Sequence, residues 1–170
     1  MYSIHATKKL LDRVKQPVMP AVSEPATVLG NWYATALFWK PQVALVVNEQ
    51  TLFPVLMPLA PAATLMERFP DSLRQILQAR RTEADFIESE IAAMAEGRYA
   101  KTANRSVVGI MNEFRYLAEV HRAHRGVDDL LVLSLRLSET PCGPLYKRHV
   151  SPDRELDALV DSWSGAVPAS

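Results

Sequence analysis

Apolar residues recur at spacings of three and four at Val107, Ile110, Met111, Phe114, Leu117 and Ala118. That period marks a helix with one buried stripe. At about 100° per residue, Arg105, Asn112, Arg115, Glu119 and Arg122 gather on the opposite side. Thr102 or Asn104 can accept an amide in the first turn, and Gly126 suits the C-terminal cap. The pattern predicts a helix over residues 104–125. Helical spacing also runs through Leu65, Met66, Phe69, Leu73, Ile76 and Leu77. Pro70 fits the first position of a helix, so a break near Phe69 and a second helix over 70–81 are expected. Thr82 offers a cap for a further helix with Phe86, Ile87, Ile91 and Met94 inward, ending at Gly97. Thr7 can cap a short helix through Lys8, Lys9, Leu10, Leu11 and Val14. Ser151-Pro152 opens a last helix over 152–163.

Strand signals lie between these helices. Residues 2–5 read as a short strand. Val43 to Val47 and Thr51 to Met57 are two apolar runs around the polar turn Asn48-Glu49-Gln50, which predicts a hairpin. Pro54 cannot donate to a ladder, so its strand is an edge strand or carries a bulge. Leu131, Leu133, Leu135 and Leu137 alternate with Ser134, Arg136 and Ser138, a period of two that predicts a half-buried strand. Trp32, Tyr33, Ala36, Leu37 and Phe38 are read as one or two helical turns with an aromatic face, with a strand as the alternative. The aromatic run Trp32, Tyr33, Phe38 and Trp39 reads first as core packing and second as the lining of a pocket or interface. Residues 16–29 hold three prolines and no period, and predict a surface loop. Loops of that length often serve as lids or binding loops. The sum is one α+β domain over residues 1–165, with a small, mainly antiparallel sheet of about four strands covered by helices. Residues 166–170 are expected to fray.

Composition narrows the function classes. The chain has 170 residues, 48% hydrophobic and 22% charged, which is globular rather than disordered. Its formal net charge is zero, so no global field draws it to nucleic acid or an anionic membrane. The single cysteine, Cys142, excludes an internal disulfide and points to the cytoplasm. In the turn ETPCGPL it reads as a small buried hydrophobe rather than a nucleophile. No apolar run reaches the roughly 18 residues of a membrane span, and the first residues lack signal-peptide order.

Several stretches, taken in order, carry a resemblance. HATKKLL at 5–11, LGNWYA at 29–34, VVNEQTLFPVLMP at 46–58, KTANRSVVGIMNEF at 101–114 and LSLRLSETPCGPL at 133–145 resemble an uncharacterised bacterial family of small proteins, a domain of unknown function. The fourth stretch is the specific one. The resemblance spans about Ile4 to Leu145 and implies a shared fold. It carries over no activity, cofactor or catalytic residue.

Motifs for phosphate loops, dinucleotide folds, zinc sites and nucleophile elbows are absent, so no cofactor or metal is expected. His121 and His124 stand one turn apart, and His121 reads as a satisfied core histidine. One polar constellation remains: His5, Lys8, Asn48, Glu49, Thr51, Asn104, Arg105, Ser106, Asn112 and Glu113. If the three places that supply it converge, it offers a base (Glu49, Glu113 or His5), an anion anchor (Arg105 or Lys8) and helix N-terminal amides. Turn satisfaction, helix capping and a surface ion pair explain the same residues without a site. The basic stretch 98–125, with Tyr99 and Tyr116 interleaved, could follow a nucleic-acid backbone, but reads first as a solvated helix face. The ranking is therefore a non-enzymatic binding or interaction module, with amphipathic helices that offer a homodimer surface. A small enzyme acting on an anionic substrate through Arg105 and Glu49 or Glu113 comes second, and nucleic-acid binding third.

Overall fold

The structure, a computed structural model, describes residues 1–166. Its framework is a five-stranded sheet in the order β4-β3-β2-β1-β5. β1 (Tyr2–Ala6) lies between β2 (Trp32–Leu37) and the edge strand β5 (Gly97–Lys101) and is parallel to both. β2, β3 (Val43–Asn48) and β4 (Pro54–Pro58) form an antiparallel meander. Six α-helices cover the two faces: α1 (Lys8–Val14), α2 (Leu65–Ala79), α3 (Ala84–Ala93), α4 (Arg105–Arg125), α5 (Leu130–Ser138) and α6 (Pro152–Ala166). The molecule is thus α+β, and its mixed sheet carries two antiparallel and two parallel ladders.

The two faces of each strand feed two cores, because successive side chains point to opposite sides. Tyr2, Ile4 and Ala6 of β1, with Trp32, Ala34 and Ala36 of β2, meet Leu10 of α1, Phe69 of α2, Phe86 of α3 and Leu156 of α6. The Trp32 and Phe69 rings meet edge to face at 4.9 Å, a favoured aromatic geometry. On the other face Tyr33, Leu37, Leu45 and Val47 meet Val107, Ile110, Met111 and Phe114 of α4. The stripe that predicts α4 is therefore its buried face. Asn104 caps it by accepting from the Ser106 and Val107 amides, and Gly126 closes it at φ 63°.

Two-sided burial explains where the sequence pattern misleads. The leucines at 131–137 lie on helix α5, not on a strand. Leu131 and Leu135 pack against the first core, Leu133 and Leu137 against the second. Residues two apart are about 200° apart on a helix, so a helix wedged at the sheet edge alternates like a strand while burying Leu133 and Leu137 and half-burying Leu131 and Leu135. Trp32–Leu37 is a strand rather than helical turns for the same reason: it is apolar on both faces. α2 runs unbroken through Pro70. The amide lost there is the one that would meet the Met66 carbonyl, one turn back. Gly97 opens β5 instead of closing a helix, and α3 starts behind Glu83, with no side-chain cap from Thr82. Thr7 precedes α1, yet its hydroxyl pairs with that of Thr35 at 2.8 Å rather than with a helix amide.

Pro54 lies on an edge strand, as its missing donor requires. Pro54 and Pro58 bound β4, and Ser134 Oγ accepts the Leu56 amide at 2.9 Å. That edge is closed to further pairing. α6 reaches Ala166; the tail expected to fray lies, from residue 167 on, outside the described residues.

Candidate functional site

The polar constellation of the sequence separates into parts. Asn48, Glu49 and Thr51 come together at the β3–β4 turn. Asn48 is wholly buried. Its side-chain amide donates to the Leu29 carbonyl at 2.8 Å, and its oxygen accepts from Gln50 N, Thr51 N and the Thr51 hydroxyl at 2.9 to 3.1 Å. Glu49 accepts from the Asn31 amide at 3.1 Å. Asn31 in turn accepts from Ser3 N and donates to the Val22 carbonyl, both at 2.8 Å. Glu90, from α3, accepts from the Val28 and Leu29 amides at 2.7 and 2.8 Å. Burial holds the Glu90 carboxyl above its usual range, and those two amides oppose that shift. Gly30, at φ 77°, has the Gln50 and Glu49 side chains where a Cβ would stand. This network ties the proline-rich loop to β1, to the end of β3 and to α3.

His5 and Asn104 meet through Tyr33. The His5 ring stacks on Tyr33 with centroids 4.5 Å apart, and its Nδ1 donates to the Lys101 carbonyl at 2.7 Å. The Tyr33 hydroxyl accepts from the Asn104 amide at 3.0 Å. Asn104 occupies the Ser106 and Val107 amides, so the α4 N-terminus has already spent donors that an anion would need. Lys8, Arg105, Ser106, Asn112 and Glu113 are exposed, and their side chains make no hydrogen bond or ion pair among the described residues. Arg105 borders a shallow depression of about 310 Å³ with Thr102, Ala103, Asn104 and Val108. Asn112 and Glu113 border another with Tyr116 and Leu117.

The other flagged residues read plainly. Burial, reinforced by Glu113, pushes the Cys142 thiol up to about 11, which fits a packing role. His121 is half-buried, its Nδ1 has no partner, and burial with Arg125 and Arg136 lowers its pKa; it is not the satisfied core histidine expected. Along the basic helix, Arg122 lies over the Trp39 ring at 4.0 Å and within 3.6 Å of Asp128. Among the described residues no group of three or more His, Cys, Asp or Glu could hold a metal ion, and no helix is long and apolar enough to cross a membrane.

A different place collects unmet hydrogen-bonding groups. Two adjoining hollows, of about 560 and 290 Å³, run beside β5 between the start of α2, the end of α3 and the 16–19 loop. Met66, Glu67 and Gly97 line both. Met1, Pro70, Ile91 and Met94 wall the larger; Pro17, Met19 and Tyr99 wall the smaller. The hydroxyl of Tyr99, which walls the smaller hollow, is buried without a partner, and so is that of Tyr2, whose ring packs against Gly97. Arg98 Nε, one residue before Tyr99 on β5, is unpartnered too. Among the described residues, unpartnered buried atoms also occur at Trp32 Nε1, Gln42 Oε1 and His121 Nδ1, and none of these residues lines either hollow. Burial pushes the Tyr99 phenol up to about 12, with Arg68 opposing and Glu67 assisting. The Met66 amide lies near enough to the Tyr99 oxygen to favour its anion slightly, yet not in hydrogen-bond geometry. Burial raises the Tyr2 phenol too, and Tyr99 adds to it. Both phenols therefore keep their protons at neutral pH and remain donors. No sequence signal marks this cleft: Met1, Met19, Met66 and Met94 are scattered along the chain, and Tyr2 and Tyr99 are far apart in it.

The family model for Domain of unknown function (DUF6933) matches residues 3–155. The chain belongs to that family. The match takes in β2 to β5, all of β1 except Tyr2, and all helices except most of α6, so the hairpin network and the α4 cap lie within it, whereas Met1 and Tyr2 beside the cleft lie just outside it. No curated protein matches the chain, and no solved structure matches it.

Proposed function

We propose that this DUF6933 protein is a non-enzymatic binding module whose ligand site is the cleft beside β5. One observation carries the reading: the Tyr99 hydroxyl, on a residue that walls the smaller hollow, and the Tyr2 hydroxyl, on a ring packed against Gly97, are both buried without partners beside a cleft of small-molecule size. A buried donor left unpaired costs about 1–3 kcal/mol, and native structures retain few such groups. An acceptor supplied by a ligand removes that cost. The volume of the larger hollow falls in the usual range for ligand sites, roughly 300–1,000 Å³. Methionine walls adapt to varied shapes. An enzyme built on Arg105 and Glu49 draws less support, since Glu49 serves the Asn31 amide and Arg105 stands apart from it at the start of α4.

The test is a fragment titration followed through ¹³C-labelled methionine methyl groups. Fragments that bind are expected to move the Met66 and Met94 signals and saturate. A chemically diverse fragment set that leaves these signals unmoved, or moves only signals remote from β5, defeats the proposal.

A further inference from the structure

We infer that the ligand of this cleft is a small uncharged carboxamide with an apolar body, and that it enters by displacing the Met66 side chain. This rests on reading the cleft as the ligand site.

Met66 is the partition between the two hollows. It lines both, and its sulfur lies only 2.6 Å from where a Cβ on Gly97 would stand. Behind Gly97 sits the hydroxyl-bearing end of the Tyr2 ring, with Cε1 and Cζ at 3.0 and 3.1 Å from the same point. The thioether thus covers Gly97, against which the Tyr2 ring packs, two residues before Tyr99 on β5. Methionine has three rotatable side-chain bonds and swings at low cost. Moving it joins the hollows and uncovers the phenols.

The exposed chemistry then selects the ligand. Tyr2 and Tyr99 offer O–H donors, which call for an acceptor. The Met66 carbonyl offers an acceptor, because Pro70 has no N–H to meet it. Glu67 and Glu96 on the rim add carboxylate acceptors. A carboxamide presents C=O and N–H side by side and answers both needs. A carboxylate meets like charge at Glu67 and Glu96, and losing water there is costly for any ion. An ammonium cannot accept from the phenols. Met1, Ile91, Met94 and Pro70 take the apolar body.

The experiment titrates benzamide into the full chain labelled at methionine methyls, beside benzoate, benzylammonium and ethylbenzene. Benzamide is expected to bind most tightly and to move Met66 and Met94. Tyr99→Phe should weaken it roughly five- to tenfold. Met66→Ala should tighten it roughly threefold or more, since the closed arrangement no longer competes. Equal binding by ethylbenzene or benzoate overturns the ligand class while leaving the cleft as a site. Unchanged benzamide affinity in Met66→Ala overturns the gate. If Met66→Ala does not fold, Tyr99→Phe, which alters one atom, still decides the amide contact. Silence from all four probes overturns this inference, and only silence from a diverse fragment set removes the underlying site.

Discussion

The hairpin end of the sheet and its β5 edge both bury polar side chains, yet they treat them in opposite ways. At the hairpin end Asn48 makes a hydrogen bond with each side of its amide, and Asn31, Thr51 and Glu90 are paired as well. At the β5 edge Tyr2, Tyr99 and Arg98 bury polar atoms that pair with nothing. The first arrangement is complete within the chain and has no valence left for a ligand. The second is incomplete, and completion has to come from outside. A saturated polar network is evidence of structure, whereas an unsaturated one beside a cavity is evidence of a site.

The largest effect expected from this contrast is at Asn48. Asn48→Ala strands the Leu29 carbonyl and the Thr51 amide where both are buried, and frees the Gln50 amide nearer the surface. It should cost about 3 kcal/mol, read from urea unfolding midpoints. A loss under about 1 kcal/mol would mean that the network is not the clamp described.

Glu90 comes next and adds a pH signature. Its folded-state pKa is raised above the ordinary 4.5, first by burial. The folded state therefore holds its proton to higher pH than the unfolded state does. Stability from this group is full below pH 4.5 and declines as pH rises from there through the raised value. Glu90→Gln sets an NH₂ against one of two backbone amides and should cost about 1–2 kcal/mol near pH 5. The gap between wild type and variant should then narrow toward neutrality. A gap that widens with pH contradicts the raised pKa.

Gly97→Ala tests the crowding at the open edge. The new methyl meets the mobile sulfur of Met66 and the firmer ring of Tyr2. Overpacking against one yielding neighbour and one fixed one should cost about 1 kcal/mol, a fall of roughly 2–4 °C in melting temperature. No change in melting temperature would show that the strand has more room than the geometry gives it.

The contrast between the two ends also marks how far the sequence can be read. Helix α4 was legible because it turns one apolar side to a core, so its period survives in the sequence. The hairpin, buried on both faces, was legible because its two strand-length apolar runs flank the polar turn Asn48-Glu49-Gln50 and Pro54 marks the edge. α5 and β2 were not, because burial on two sides erases the period that separates helix from strand. At the hairpin turn Asn48 and Thr51 were legible, since their bonds are local. Glu90 was not: its partners lie 61 and 62 residues away. The β5 cleft was the least legible, because only the parallel pairing of β1 with β5 brings Tyr2 opposite Gly97 and sets Tyr99 beside Ile4. Nothing along the chain links those residues before the sheet forms.

The smallest effect is the most discriminating. Tyr99→Phe deletes one buried oxygen that has no partner and keeps the ring in the first core. Removing a satisfied hydroxyl would cost about 1 kcal/mol, but removing an unsatisfied one returns its desolvation penalty. Stability should therefore stay within about 0.5 kcal/mol of wild type or rise slightly, in equilibrium denaturation without ligand. The same substitution at a paired group of the hairpin network has no such latitude. If Tyr99→Phe destabilises the free protein by more than about 1 kcal/mol, the hydroxyl already has a partner, an ordered water included. The β5 edge would then be as closed as the hairpin end, and its claim to be a ligand site would lose its footing.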